Sequence, residues 1–496
     1  MSGKKRCPVL KWFVRTVGVL ALVLVIAASW AAWRMFGPLP PMPDYHARLT
    51  SLAESRLTSE QLASNEPCKW DLYVQGLRRI ADAGLAYHVQ EYGPLKGAGS
   101  PDFGFRDPVP DVAVALMDPE SSVMLDAMRK LEECGFFERV DRIPGAPPSV
   151  RQRMEDRALM QDIGWDMGAS RGLLAILLGE FRYSMRIRDF DRAAIAAERC
   201  MAIASVHSTD LLLVPVLMSV SNRIWVYATI REEIVFGSDW PPHFLARLER
   251  ALDIAPDTFD VELAFSAEFI QLRDTLDRNL RGMLPEETGA RDPIEMRLLR
   301  ILVNPQELLD AYDEVVADLV GIGDLDSDEA VAHMRWVRGR LRRGHYFNRV
   351  TIPLSVVDSM AKSFRSRDDV ESLYDGTRLM LAIERYRLDH DGAPPAAFDA
   401  LVPEYLDEVP IDPLSDAGGA FGYRLVTAFD PDPLVSPKGR MLSDEFLPIP
   451  PRTYLLWSAG RDHVDDGGDP EHDYILNNPP RRPEPPKNIE ASEVAP

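Results

Sequence analysis

The chain has 496 residues, 46% hydrophobic and 27% charged, enough for two or three globular domains. Its 77 acidic side chains against 56 basic ones leave a net charge of −21, which argues against nucleic acid as a partner, because phosphate binding needs clustered Lys and Arg. The four cysteines, Cys7, Cys68, Cys134 and Cys200, include no CxxC pair, so neither a zinc site nor a thioredoxin-like motif is expected. Cys68 and Cys134 are candidates for pairing in an oxidising compartment, with free or buried thiols the equal alternative.

Residues 1–15 form a basic segment carrying Lys4, Lys5, Arg6, Lys11 and Arg15. Thr16 to Trp33 then runs without a charge, and its eighteen residues at about 1.5 Å each match a hydrocarbon core. Trp12 and Phe13 flank it on one side, Trp30, Trp33 and Phe36 on the other, as interfacial rings do. The spacing predicts a single transmembrane helix over 16–36. The excess of Lys and Arg before it puts the N-terminus in the cytoplasm and the body outside. The competing reading is a signal peptide cleaved near Ala27-Ala28-Ser29; the bulky Trp30 and Trp33 beyond that site favour an uncleaved anchor. Both readings export the body. Residues 37–43, GPLPPMP, form a stiff Pro-rich spacer.

From residue 44 to 367 the apolar period is near 3.6, which predicts a mainly α domain of antiparallel helical hairpins. Leu173, Ile176, Leu177 and Phe181 make one stripe within Gly168–Phe190. Asp191 is the expected N-cap of the next helix. LLLVPVLMSVSNRIWVYATI follows, then PPHFLARLERALDIA with Pro at its first positions. The stretch 170–275 faintly resembles a TPR-like array but has no repeated consensus. Gly168-Ala-Ser170-Arg-Gly172 matches the GxSxG pattern by letter, yet no apolar strand precedes it to build a nucleophile elbow. His207 and His243 sit near helix ends, where capping or surface roles are the default. No P-loop and no HExxH occurs. GIGDLDSDE at 321–329 lacks EF-hand spacing and reads as a linker, and the charged SFRSRDD at 363–369 reads as a domain break.

Residues 368–478 predict a small α+β module. A helix over about 370–390 presents Leu379, Ile383 and Tyr386 on one face, with Glu384 and Arg387 on the other side. Asp391-Gly392 ends it and Pro394-Pro395 blocks its continuation. Phe421–Val426 and Tyr454–Trp457 are strand-like and expected to pair as an antiparallel hairpin around the excursion 430–451. Residues 479–496 are a Pro-rich polar tail expected to be disordered.

The succession RLMLAIERYRLDHDGAPP, ALVPEYLDEVPIDP, GYRL, YLLWSAGRD and DYI is similar to the globular domain of the major pseudopilin of type II secretion. The likeness runs from Glu371 to Leu476. The pseudopilin leader motif is absent: MSGKKRCPVLKWFVRTVGVL carries no Gly-Phe processing site and no Glu in the membrane helix. That departure argues against polymerisation into a fibre. The resemblance implies calcium in the last loop, with Asp462 as the first carboxylate and Glu471 and Asp473 as the closing pair; Asp469 joins the expected ligand set. The chemistry agrees, since calcium takes six to eight hard oxygens in flexible geometry and Gly467-Gly468 allows a tight wrap. A solvated acidic loop is the alternative.

The expectation is therefore a non-enzymatic protein of the bacterial inner membrane. Its body faces the periplasm, its partners are other envelope proteins, and secretion or pilus-like machinery is the context the resemblance implies. The alternatives are an exported hydrolase, with Ser170 as its most visible nucleophile, and a calcium-dependent binding module for an extracytoplasmic ligand.

Overall fold

The computed structural model describes residues 41–55, 66–83, 122–147, 159–208, 213–236, 240–255, 261–281, 305–319, 321–322, 325, 327–343, 354–415, 418–426, 454–460, 462–468 and 472–477. These residues are mainly helical, with a small three-stranded sheet near the C-terminus. The predicted anchor, the spacer up to residue 40, Cys7, the excursion 430–451 and the tail all lie outside them. Among the described residues no helix is long and apolar enough to cross a membrane.

Twelve helices are described in chain order: α1 (Tyr45–Glu54), α2 (Lys69–Asp82), α3 (Ser122–Glu133), α4 (Phe137–Val140), α5 (Leu159–Arg186), α6 (Phe190–Ser205), α7 (Leu213–Phe236), α8 (Pro242–Leu252), α9 (Val261–Arg281), α10 (Pro305–Leu319), α11 (Ser327–Arg343) and α12 (Leu354–Asp389). The strands are β1 (Gly422–Leu425), β2 (Tyr454–Ser458) and β3 (Tyr474–Ile475). The fold divides into two compact units, one drawn from residues 1–51 and 265–361, the other from 52–264 and 362–496.

In the first unit, α10 buries Leu309, Tyr312, Val315 and Leu319, and α11 buries Ala330, Val331, Met334 and Val337. Those positions recur every three or four residues, as one apolar helical face requires. Tyr312 donates to the Phe269 carbonyl at 2.7 Å. Arg273 meets Asp313 at 2.9 Å. Tyr45 donates to Asp277 at 3.3 Å, and burial pushes its phenol up to about 12. The 321–329 stretch read as a linker ends inside α11, whose first residues are Ser327, Asp328 and Glu329. Acidic residues suit that position because the helix dipole is positive there.

In the second unit, α5 and α6 form the most extensive helix contact, and α6 also packs on α7 and α8. The sequence of α6 explains this. Ala193, Ala194, Ala196, Ala197, Ala202 and Ala204 are all buried, and their small side chains let neighbouring backbones approach. Arg188, at φ 60, turns the chain between α5 and α6. The amides of Arg188 and Asp189 bond back to the carbonyls of Met185 and Ser184, the pattern of a Schellman stop. The N-cap is Asp189, whose side chain accepts from the Arg192 amide at 3.1 Å. Asp191, the expected cap, falls instead in the first turn of α6.

Helix α7 is apolar nearly all round and correspondingly buried. Two of its polar side chains find partners inside. Ser219 donates to the Ala204 carbonyl at 2.6 Å, and Glu232 takes Arg182 at 2.6 Å. Arg231 is buried, and its guanidinium donates to the carbonyls of Tyr227 at 3.4 Å and Leu476 at 3.3 Å.

The sheet has the order β1-β2-β3, antiparallel throughout. The β1–β2 hairpin forms where the sequence predicts it, and β3 adds a strand that DYI did not announce. Gly422 faces Trp457 across the hairpin, and a Cβ there would lie 1.9 Å from the indole. Only glycine fits beneath that ring.

Two expectations for α12 change. The helix is 36 residues long and passes without interruption through 363–369, the stretch read as a break. Ser363, Ser366, Asp368 and Asp369 are buried there, so polar composition did not mean solvent. The compact units nevertheless change within this helix, between 361 and 362, and residues 362–496 group with 52–264. Three contacts tie them: Arg231 to Leu476, Tyr374 to Asp253 at 2.8 Å, and Arg385 to Glu249 at 2.7 Å. Gly376 lies so close to Leu476 that a Cβ would come within 2.5 Å of it. The second change is Glu384, which is not on an exposed side. It is buried, takes Arg387 at 2.9 Å and accepts from Tyr454 at 3.2 Å. The helix is covered both by the sheet and by the partners of Arg385, so it has no free face at this level.

Burial holds the Glu384 carboxyl above the usual glutamate range, with Arg387 and Tyr454 opposing it in part. A carboxyl raised in the folded state contributes stability fully below its unfolded pKa and loses it as pH rises through the folded value. Glu384→Gln keeps an acceptor for Tyr454 and removes the charge. It is expected to gain about 1 kcal/mol at neutral pH, with the gain vanishing as pH falls below the ordinary glutamate value. Urea unfolding across a pH series measures this; a loss at neutral pH would mean that the Arg387 pair outweighs burial.

Candidate functional site

The acidic loop leaves β2 at Ser458 and returns at β3. Its base is built on Asp412, which is buried on the turn before β1. One Asp412 oxygen accepts from Ser458 Oγ at 2.9 Å and the Leu414 amide at 3.1 Å; the other accepts from the Ala459 amide at 2.8 Å. A buried carboxylate with three donors is well satisfied, and it fixes where β2 ends. Gly460, at φ 70, follows at once; a Cβ there would lie 2.0 Å from the His472 carbonyl, so the two arms of the loop can close only over glycine.

Above this base the acidic residues separate into two groups. Asp465 accepts from the Trp457 indole at 2.8 Å and from the Gly467 amide at 2.9 Å. Asp473 is buried, and its two oxygens accept from the amides of Asp466 at 3.3 Å and Gly468 at 2.8 Å. Both carboxylates therefore hold the loop's own backbone. Gly468, at φ 82, lies against Leu455 and Trp457. His463 Nδ1 bonds the Leu414 carbonyl at 2.9 Å and ties the loop back to the Asp412 turn.

The exposed group is Asp462, Asp466 and His472, whose ligand atoms all lie within 4.8 Å of one another. Asp462 also accepts from the Val464 amide at 3.3 Å and approaches His472 Nδ1 at 3.4 Å. Of the four expected ligands, Asp462 joins this group and Asp473 is engaged with backbone amides, while Asp469 and Glu471 lie outside the described residues. The donor set suits calcium in its two hard carboxylates and departs from it in the imidazole, which belongs to transition-metal sites.

The other candidates of the sequence fall elsewhere. Ser170 is buried in the interior of α5, where its Oγ accepts from Asn222 at 3.2 Å across the contact with α7. No strand-to-helix elbow surrounds it, because the preceding residues from Leu159 on are helical. His207 is buried rather than superficial, with Trp70 at 5.8 Å and Tyr73 at 6.2 Å between ring centroids. His243 is exposed, 3.8 Å from Asp191. Cys68, Cys134 and Cys200 are free thiols. Burial and the Asp71 carboxylate push Cys68 up to about 11, and burial pushes Cys200 up as well, which makes both poor nucleophiles.

The sequence missed Asp412, Trp457 and His472. Asp412-Pro413 announces a turn but not the strand end that its carboxylate grips. His472 carries no local signal at all, since its neighbours in space come from the far arm of the loop.

Asp412→Ala leaves the buried amides of Leu414 and Ala459 without acceptors and is expected to cost about 3 kcal/mol or more. Asp462→Asn, at an exposed position, should change stability by less than about 0.5 kcal/mol. Urea midpoints of the two variants decide it; equal effects would remove Asp412 from its place at the base of the loop.

No protein-family model, curated protein or solved structure matches this chain, so the chemistry of the loop stands on its own residues.

Proposed function

We propose that the chain is a non-enzymatic envelope protein that works by contact. The segment 16–36 anchors it in the bacterial inner membrane, and its body lies in the periplasm. A helical body of antiparallel hairpins and a pseudopilin-like module present surfaces to other envelope proteins of secretion or pilus-like machinery. The acidic loop of that module takes calcium. The observation that carries this reading is the convergence of Asp462, Asp466 and His472 on a loop whose backbone Asp412, Asp465 and Asp473 already hold. Preorganised carboxylates lower the ordering cost of binding a cation. Backbone carbonyls and water complete the shell that calcium needs, and His472 then serves as a hydrogen-bond donor to Asp462 rather than as a ligand.

Thermal melting of the full-length protein with calcium and with chelator tests the loop. Calcium at a hundredfold excess over its Kd should add about 2.7 kcal/mol, and the pair Asp462→Asn with Asp466→Asn should abolish the gain. A shift with zinc but not calcium would replace the metal in this reading, and no shift with either would remove it. Fractionation tests the anchor independently. The protein is expected to resist alkaline washing of membranes and to be released when residues 16–33 are deleted; release of the intact chain would overturn the anchor. In-cell crosslinking should then capture envelope proteins, and a chain that captures none would lose the contact reading.

A further inference from the structure

Helix α11 carries charge out of character with the rest of the chain. From Ala330 to Val357 there are six arginines and no Asp or Glu; outside residues 1–43 no other stretch of this length lacks an acidic residue. Five of the six lie between Arg335 and Arg343, within α11. One side of the helix, Val331, Met334 and Val337, is buried. The other presents Arg335, which is exposed, and Trp336, which is 50% exposed, an uncommon place for so large a ring. Arg335 has no carboxylate partner among the described residues. The indole is held in position. His333, one turn before it, lies 5.5 Å away between ring centroids, and the Arg340 guanidinium, one turn after it, lies 5.8 Å from the ring centre. Arg340 is fixed in turn by Glu314 and Asp318 of α10, and His333 Nε2 bonds the Asp318 carbonyl at 2.7 Å.

An exposed indole beside an unpaired guanidinium suits an anionic bilayer: the ring sits among the headgroups and the guanidinium meets phosphate. The path of the chain says why a bilayer is within reach. Helix α11 belongs to the unit drawn from residues 1–51 and 265–361, and Tyr45 is tied into that unit through Asp277 of α9. Nine residues lead from Phe36, at the end of the predicted membrane segment, to Tyr45, and fully extended they span at most about 30 Å. A folded unit of that length has a radius of gyration of about 15 Å, so the tether lets it turn any side to the surface. The same tether keeps the unit at high effective concentration there, so a contact too weak for a free protein is populated. We propose that the Arg335–Trp336 face of α11 docks on the anionic phospholipid surface of the membrane that holds residues 16–36. This docking rests on the anchor reading above, which supplies the tether. The chain's acidic excess, −21 overall, disfavours contact elsewhere, so α11 also selects the side that faces the bilayer.

Full-length protein reconstituted in vesicles carrying a photoactivatable phospholipid tests this, with the crosslinked residues mapped by mass spectrometry. Crosslinks within 16–36 report the anchor and crosslinks within 330–343 report the docking, so either can fail without the other. Both sets are expected in vesicles containing phosphatidylglycerol. In phosphatidylcholine alone, or in about 1 M salt, the second set should fall about fivefold or more while the first persists. Arg335→Glu and Trp336→Ser, both at exposed positions where folding tolerates change, should each lower the second set by about fivefold. No crosslinks at 330–343 in anionic vesicles, equal yields in neutral lipid, or unchanged yields in both variants would overturn the docking. In cells, p-benzoylphenylalanine in place of Arg335 should capture lipid. Capture of a protein, or of a second copy of this chain, in place of lipid gives the face to that partner and overturns the docking equally.

Discussion

The second unit turns on one unfavourable act, the burial of the Arg231 guanidinium. Arg231 lies on α7, a helix that is apolar nearly all round, and it reaches only backbone carbonyls, those of Tyr227 and Leu476. Burial pulls it down to about 10, still far above neutral pH, so the group stays charged inside the fold. A buried cation is tolerated only where dipoles are held against it. Here one of those dipoles belongs to the chain just after β3. The charge therefore specifies where the last strand must lie, because moving it would strip Arg231 of an acceptor.

Much of the remaining arrangement follows from that demand. Leu476 must come down onto α12, and Gly376 is the residue that lets it. Next to it, Asn477 donates to the Tyr454 carbonyl and accepts from the Leu456 amide, so a side chain extends the pairing of β2 beyond the two residues of β3. With β2 fixed on this side and joined to Asp412 on the other, the acidic loop has little freedom left at either end. The ends of the loop are thus held by contacts that include residues outside the loop itself. A C-terminal region built this way is not a head on a swivel: its helix α12 meets α8 through Arg385 and Glu249, and the chain just after its last strand meets α7 through Arg231.

Local signals were read well and long-range ones were not. The apolar periods of α6, α7 and α8 place those helices within a few residues, because burial of a stripe is a property of consecutive residues. The Gly422–Leu425 and Tyr454–Ser458 pairing is legible for the same reason. The continuity of the helix through 363–369 is not legible in the same way. Ser363, Ser366, Asp368 and Asp369 look solvated by composition, yet the helix is packed on several sides and buries them. Within the candidate site, the sequence showed a cluster of carboxylates but could not sort them. Asp465 and Asp473 differ from Asp462 and Asp466 in what they meet: an indole and three backbone amides that folding brings within reach.

The same sorting principle separates two kinds of acidic residue in a chain that carries a large excess of them. Asp412 and Asp473 have a donor on each oxygen, and Asp465 has two on one oxygen, so these carboxylates hold the loop together. Glu180 is not saturated, and neither burial nor its arginine neighbour accounts for the second oxygen. A surplus of negative charge on a solvated surface asks for nothing beyond counterions. The second Glu180 oxygen is different in kind, because its desolvation has already been incurred by folding.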